Sequence, residues 1–323
     1  MHTVDNEINE RAALTSSNKF ELMLFRLGKC GGAGRSELYG INVFKLRELM
    51  AMPDITTIAN ASPFLLGVVN IRGQIVPVID LPAVLGCQPE NGLKILMITE
   101  FARTTQAFAV EDVDEIVRLN WSQVRPADGA AAGNGTVTSI AQLDSAVHGT
   151  QLAQILDVEQ ILSDIFPPRT EDIAAADVAF EAAVSRETRL LVADDSSSAR
   201  MIISQGLDAM GLKYTMTRTG KEAWEALEAM SADALADGGT LADKVTMVLT
   251  DLEMPEMDGF TLTRRIRADA RFKSLPVVIH SSLTGQTNEQ HVRSAGADGY
   301  VAKFKVEDLA KTIRSVLQSR TTA

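Results

Sequence analysis

Val248-Leu249-Thr250-Asp251-Leu252-Glu253-Met254-Pro255-Glu256-Met257-Asp258-Gly259 is the stretch on which the fold of the C-terminal half turns. Val245 to Leu249 is an apolar run bounded by turn signals, as a buried parallel strand would be. The run leads into a carboxylate, Asp251. Pro255 and Asp258-Gly259 then form a loop, and a helix pattern follows. A carboxylate at the carboxyl end of a parallel strand stands where open α/β sheets bind ligands. Alone it could equally cap the next helix, so the flanking segments decide.

Three of them repeat the pattern. Leu190-Leu191-Val192-Ala193 leads into Asp194-Asp195, with Ser196-Ser197-Ser198 opening a helix. Val277-Val278-Ile279-His280 ends in Ser281-Ser282, and Tyr300-Val301-Ala302 ends in Lys303. A parallel sheet would bring Asp194, Asp195, Asp251, Ser281 and Lys303 to one rim. Clustered carboxylates repel unless a cation joins them, and hard oxygen ligands with water suit Mg²⁺. Such a metal and Lys303 would neutralise a phosphoryl group in transit. Ser281 would donate a hydrogen bond to it, and Asp251 would be the nucleophile.

From about Arg186 to Arg320 these residues resemble the receiver domain of two-component response regulators. The likeness rests on the acidic pair, the Asp251-x-x-Met-Pro-x-Met-Asp-Gly loop, Ser281 and Gly299-Tyr300-Val301-Ala302-Lys303. It implies a flavodoxin-like, doubly wound α/β fold with five parallel strands. It implies Mg²⁺ held by Asp195, Asp251 and the main-chain carbonyl of Glu253, with Asp194 in support. It implies phosphate received from a histidine kinase, with Ser281 and Tyr300 as switch residues. Two departures stand out. Phe304 follows Lys303 where the family usually has a proline after a cis peptide. Ala232 to Asp243, rich in Ala, Asp and Gly, reads as an extra surface loop.

At 323 residues the chain has room for two domains. A hydrophobic share of 46% against 23% charged residues is ordinary for a protein that buries substantial cores. A net charge of −11 argues against nucleic acid or an anionic membrane as the main partner. No apolar run reaches the ~20 residues of a spanning helix, and Met1 to Asn9 is polar, unlike a signal peptide. Cys30 and Cys87 are the only cysteines, without metal-ligand spacing. The expectation is two reduced thiols in a cytoplasm rather than an isolated disulfide.

Residues 1–18 read as a flexible polar leader. From Phe20 the rhythm is of short strands. Glu21 to Leu27 partly alternates, as a half-buried strand would, and Gly31-Gly32-Ala33-Gly34 makes a turn. Val43 to Met50 carries a short helical stripe. Leu65 to Leu81 reads as two strands joined at Arg72-Gly73, and Thr105 to Val113 and Glu115 to Leu119 continue the series. Short strands with glycine turns suggest small β-barrels. Ile75-Val76-Pro77-Val78-Ile79-Asp80-Leu81 is echoed by Leu152-Ala153-Gln154-Ile155-Leu156-Asp157-Val158. Either two related β-subdomains or chance likeness of apolar strands would produce this. His148 stands without triad or metal partners nearby in sequence.

Gly67-Val68-Val69-Asn70-Ile71-Arg72-Gly73-Gln74-Ile75-Val76-Pro77-Val78-Ile79-Asp80-Leu81 resembles the CheW family of chemotaxis coupling proteins. The likeness runs from about Phe20 to Asp164 and takes in Phe25-x-Leu, Tyr39-Gly40-Ile41 and Val110-Glu111-Asp112-Val113. It implies a mostly-β domain of two SH3-like five-stranded β-barrels, without enzymatic activity, that joins chemoreceptors to the histidine kinase CheA. Arg72 falls at the family's receptor-contact arginine. The bland alternative is a hairpin-turn arginine that touches only solvent. The projecting tip favours function.

The expected organisation is therefore a leader (1–18), a coupling domain (19–168), a helical or semi-rigid linker (169–186) and a receiver domain (187–320). A CheW-like domain followed by a receiver is the arrangement of the CheV family. That resemblance implies an adaptor at the cytoplasmic tips of methyl-accepting chemoreceptors, with CheA as its other partner. The protein would be cytoplasmic and recruited to membrane receptor arrays, without nucleic-acid binding or membrane insertion. Rival readings are a phosphate sink for CheA, a Mg²⁺-dependent phosphatase of the haloacid dehalogenase type and a scaffold with an inert receiver. The phosphatase type wants a second Asp two residues after the nucleophile, where Glu253 stands. The inert reading leaves Asp195, Asp251, Ser281 and Lys303 without a reason to occur together.

Overall fold

The structure, a computed structural model, describes residues 19–31, 36–101, 104–127, 135–145, 149–166, 188–281, 292–303 and 306–321. The leader 1–18, the linker 169–186, Gly32 to Gly34, His148, Ser282 and Phe304 lie outside them. The chain divides into two units, one spanning Phe20–Pro167 and the other taking in Pro168–Ala323.

In the first unit one strand serves two cores. Along Lys19–Arg26, Leu22 and Leu24 face Phe20, Leu119, Trp121 and Val124. Met23 and Phe25 face Tyr39, Ile79, Met97 and Phe108. Neighbouring side chains point to opposite faces, so this strand is covered on both, not on one as its partial alternation suggests. Ile95–Phe101 repeats the device. Leu96 and Ile98 line a third core with Val76, Val78 and Ala107, and Met97 joins Phe25 and Phe108.

Two sheets result. The first runs Asp112–Asn120, Lys19–Arg26, Leu38–Asn42, Gly149–Leu156, Val137–Ser145, Val124–Pro126. The second runs Leu46–Ala51, Ile95–Phe101, Thr104–Val110, Gln74–Asp80, Leu65–Ile71. The first has six strands, not five, because Val124–Pro126 adds itself to the edge beside Val137–Ser145. The second curls closed. Thr56, beyond one edge strand, exchanges backbone hydrogen bonds of 2.9 and 2.8 Å with Val68 on the other.

The internal echo is structural. Gln74–Asp80 and Gly149–Leu156 each pair antiparallel with one neighbour and parallel with another. Each leads into a helix capped by an aspartate. Asp80 accepts from the Ala83 N–H and Asp157 from the Gln160 N–H, so both segments need the same strand-to-helix turn.

The expectation of free thiols does not hold: Cys30 and Cys87 are joined by a disulfide. They face each other in a short antiparallel pair, Lys29–Cys30 with Cys87–Gln88. The pairing depends on tertiary structure, since the two are 57 positions apart.

The second unit is a five-stranded parallel sheet in the order Lys213–Thr217, Arg189–Ala193, Met247–Asp251, Val277–Ser281, Gly299–Ala302. The three inner strands, Arg189–Ala193, Met247–Asp251 and Val277–Ser281, are buried along nearly their whole length because both their faces are covered. Leu249, Val192, Val278 and Val301 pack on one side, and Val248, Leu191 and Val277 on the other. Truncating a side chain as buried as Leu249 to Ala costs ~2–5 kcal/mol. Ser196 caps the helix Ser197–Ala209, and Asp258 caps Gly259–Ala268. The expected loop from Ala232 to Asp243 is shorter than its composition suggests. The helix Gly220–Ala236 runs through its first part, and Leu241–Asp243 forms a 3₁₀ turn.

Candidate functional site

Asp251 is the last residue of its strand, and its carboxylate is held from below: the Leu252 N–H donates to Asp251 Oδ1 at 2.7 Å. Parallel register sets its neighbours. Asp251 lies beside His280, Thr250 beside Ala193, and Ser281 beside Ala302. Asp194 follows the end of the adjacent strand Arg189–Ala193 and Lys303 the end of Gly299–Ala302, one strand beyond Val277–Ser281, so both reach the same rim.

At that rim Lys303 Nζ stands 2.9 Å from Asp251 Oδ2 and 3.0 Å from Asp194 Oδ2. The three residues are 5%, 3% and 0% exposed. Each end of this bridge is oriented. The Ser196 N–H donates to Asp194 Oδ1 at 2.9 Å, which turns Oδ2 toward the ammonium. Arg200 Nη1 donates to the Asp194 carbonyl at 2.8 Å. The Lys303 N–H donates to the Ser281 carbonyl at 2.9 Å.

Asp195, next to Asp194, is half-buried. Ser281 is buried at the end of its strand. Tyr300 is partly buried against Leu252, Phe260, Ile279 and Val292. Glu253 lies in the loop two residues beyond Asp251. Backbone crowding shapes that loop. A Cβ on Gly259 would collide with the Asp251 carbonyl oxygen, and one on Gly220 with the Met257 carbonyl oxygen. Glu256 takes a positive φ of 63° and meets Lys221 Nζ at 3.3 Å.

Sequence reasoning assigned no part to His280. Its Nδ1 is 3.6 Å from Asp194 Oδ2, and it is buried beneath the acids. Burial, and then the charge of Lys303, push its pKa down to about 3 against the pull of Asp251. The imidazole is therefore neutral at physiological pH and adds no charge to the rim. No signal in the sequence marks it, since a strand covered on both faces lacks the alternation that would show which side His280 takes.

Arg72 belongs to the other unit. It occupies the tip of the hairpin Leu65–Ile71 / Gln74–Asp80, with its side chain 74% exposed and Nη2 2.7 Å from Glu48 Oε2. Arg72 and Gly73 have φ of 51° and 86°, the hand that a two-residue hairpin loop requires. Asn70 Oδ1 accepts the Gly73 N–H at 2.9 Å and fixes the turn.

Comparison with known proteins identifies both halves of the chain. The CheW-like domain family matches residues 21–166, and the response regulator receiver domain family matches residues 190–314. Chemotaxis protein CheV1 of Helicobacter pylori is 28% identical over 330 residues, covering 96% of this chain and 97% of its own. Chemotaxis protein CheW of Klebsiella aerogenes is 31% identical over 149 residues, 44% of this chain and 81% of its own. Chemotaxis protein CheY1 of Helicobacter pylori is 34% identical over 131 residues, 40% of this chain and 96% of its own. With a CheW-like domain and a receiver domain matched in that order, and CheV1 aligned along nearly its whole length, the chain belongs to the CheV-type chemotaxis coupling proteins, a CheW-like domain joined to a response-regulator receiver domain.

Proposed function

We propose that this protein links chemoreceptors to the histidine kinase CheA through its CheW-like half and accepts a phosphoryl group at Asp251 of its receiver half. The observation that supports the phosphoacceptor role is the buried Lys303 ammonium in contact with both Asp251 and Asp194. An Asp251 carboxylate oxygen attacks the phosphorus of the kinase's phosphohistidine. The P–N bond breaks as the acyl phosphate forms, and the imidazole leaves with the electron pair. Lys303 stands where negative charge accumulates, and its ammonium needs no reorganisation to stabilise it. Ser281 supplies a hydroxyl to the transferred group, and Tyr300 follows the resulting shift.

The residues present fit a hard divalent cation. Asp194 and Asp251 bring two buried carboxylates against one ammonium, His280 beside them is neutral, and Asp195 follows Asp194 in the chain. Oxygen-only sets of this kind suit Mg²⁺. Asp195, Asp251 and the Glu253 main-chain carbonyl would hold it, with Asp194 in support, and it would neutralise charge on the phosphoryl oxygens. On this reading the protein is an adaptor and phosphoacceptor, not a turnover enzyme.

Arg72 is the proposed receptor contact. A left-handed residue other than glycine costs ~1–2 kcal/mol, and the exposed Glu48 pair returns ~1 kcal/mol or less. An arginine at that position is better explained by a partner than by the fold. Incubation of the protein with acetyl phosphate and Mg²⁺, followed by intact-mass measurement, tests the central claim. One added phosphoryl group, absent in Asp251→Asn, is expected. Steady release of phosphate without an adduct would make it a phosphatase, and no reaction would make it an inert scaffold.

A further inference from the structure

We infer that Cys30 and Cys87 form a reversible redox clasp across the CheW-like unit, a modification site oxidised by low-molecular-weight disulfides such as glutathione disulfide. The chain leaves the six-stranded sheet at Arg26 and reaches Cys30. It leaves the five-stranded sheet at Asp80, turns through the helix Leu81–Leu85 and reaches Cys87. The two cysteines are direct partners in the short ladder that follows. The bond therefore ties together chain from both sheets.

The ladder is built for this contact. A Cβ on Gly28 would collide with the Gln88 carbonyl oxygen, so only glycine lets the two backbones approach there. Gly86, at a left-handed φ of 68°, ends the helix and sends Cys87 onto the ladder. The Tyr39 hydroxyl, buried beneath, donates to Cys30 Sγ at 3.1 Å and lies 3.6 Å from Cys87 Sγ. The sequence holds these two cysteines alone, so no other intramolecular pairing competes.

Exposure makes the site responsive. Cys87 is 6% exposed, whereas Cys30 is only half-buried and is the more accessible residue of the pair. Accessible disulfides are the labile ones. Cys87 belongs to the shared core of Met23, Phe25, Tyr39, Ile79, Met97 and Phe108, and Cys30 packs against it, so the bond sits at the edge of a core built from both sheets.

In the reduced protein the Cys30 thiolate attacks one sulfur of glutathione disulfide, and a glutathione thiolate leaves. The Cys87 thiolate then attacks Cys30 Sγ, and the second glutathione thiolate leaves. Two protein thiols lose two electrons and two protons, and the reagent gains both as two thiols. Excess reduced glutathione, or a dithiol, runs the sequence backwards.

The full-length protein is equilibrated across a series of reduced-to-oxidised glutathione ratios, quenched with acid, alkylated and weighed. Two alkylated thiols at the reducing end and none at the oxidising end are expected. In Cys87→Ser the oxidising end should instead leave one glutathione on Cys30. Two free thiols at every ratio would overturn the clasp. A bond that survives the most reducing ratio in the folded protein would overturn its reversibility. Thermal melting gives the second readout. Oxidised wild type should melt above its reduced form, and the gap should vanish in Cys30→Ser. An equal melting point for both wild-type forms would show that the bond ties nothing together.

Discussion

Lys303 Nζ lies between Asp251 Oδ2 at 2.9 Å and Asp194 Oδ2 at 3.0 Å, so one buried ammonium holds two carboxylates that would otherwise repel. The same charge that stabilises the resting site meets the arriving phosphoryl group. Replacing Lys303 by Met keeps the stem and removes the charge. Losing one well-placed electrostatic donor of this kind slows a reaction by ~10²–10³-fold. The rate of labelled phosphate uptake from acetyl phosphate should fall by about that factor. A loss smaller than ~10-fold would make Lys303 a structural ion only.

Asp251 and the proposed Mg²⁺ are tested together. Asp251→Asn should take up no label from phospho-CheA, since the amide cannot form the acyl phosphate. Chelation by EDTA should stop uptake by the wild type, and Asp195→Ala should stop it with Mg²⁺ present. Undiminished labelling of Asp251→Asn, or full transfer in EDTA, would sink the assignment.

Gly259 gives a prediction that depends on space rather than charge. A Cβ there meets the Asp251 carbonyl oxygen. Gly259→Ala should push the Asp251 loop outward, lower stability by ~1–3 kcal/mol and slow phosphorylation. Urea denaturation gives the first quantity and label uptake the second. A variant as stable and as fast as wild type would mean that the loop yields freely.

Arg72 separates fold from function. Arg72→Gly relieves the left-handed strain of ~1–2 kcal/mol at φ 51° and gives up one exposed ion pair with Glu48. Thermal stability should hold or rise slightly. Pull-down by receptor cytoplasmic segments should weaken, and more so for Arg72→Glu, which sets like charge against a complementary patch. Phosphorylation at Asp251 should be untouched. Unchanged pull-down by both variants would return Arg72 to an ordinary turn residue.

The receiver rim was legible because each strand ends on its chemical residue. Asp194, Asp251, Ser281 and Lys303 could be aligned by counting from apolar runs. His280 was not, because strands buried on both faces lose the alternation that reveals which side a residue takes. The CheW-like half was legible through its glycine turns and the repeated strand ending in Asp80 and Asp157. Its second core was hidden for the same reason as His280, since Met23 and Phe25 look no different in sequence from Leu22 and Leu24. The Cys30–Cys87 bond depends on two chain reversals that no local pattern announces. The helix end at Ala236 was misread because Asp237, Gly238 and Gly239 carry the loop signal, while Ala232 to Ala236 holds good helix formers.

The last prediction concerns regulation. A phosphoryl group adds roughly −1.5 to −2 charge to a rim already rich in carboxylates. Ser281, buried at the strand end, is expected to turn toward the new oxygens. Tyr300, packed on Leu252, Ile279 and Val292, is expected to follow into the space released. That repacks the surface around Tyr300 and should change affinity for the receptor–kinase complex. The change can be no larger than the difference in affinity between the two states, typically ~1–3 kcal/mol or about 5–150-fold. Full-length protein is titrated onto receptor and CheA with and without beryllofluoride and Mg²⁺, alongside Asp251→Asn. A shift within that range in the wild type, absent in Asp251→Asn, supports regulation of coupling. The same affinity in all four conditions, with label still passing from CheA to Asp251, would leave the receiver as a drain for phosphoryl groups and end the regulatory reading.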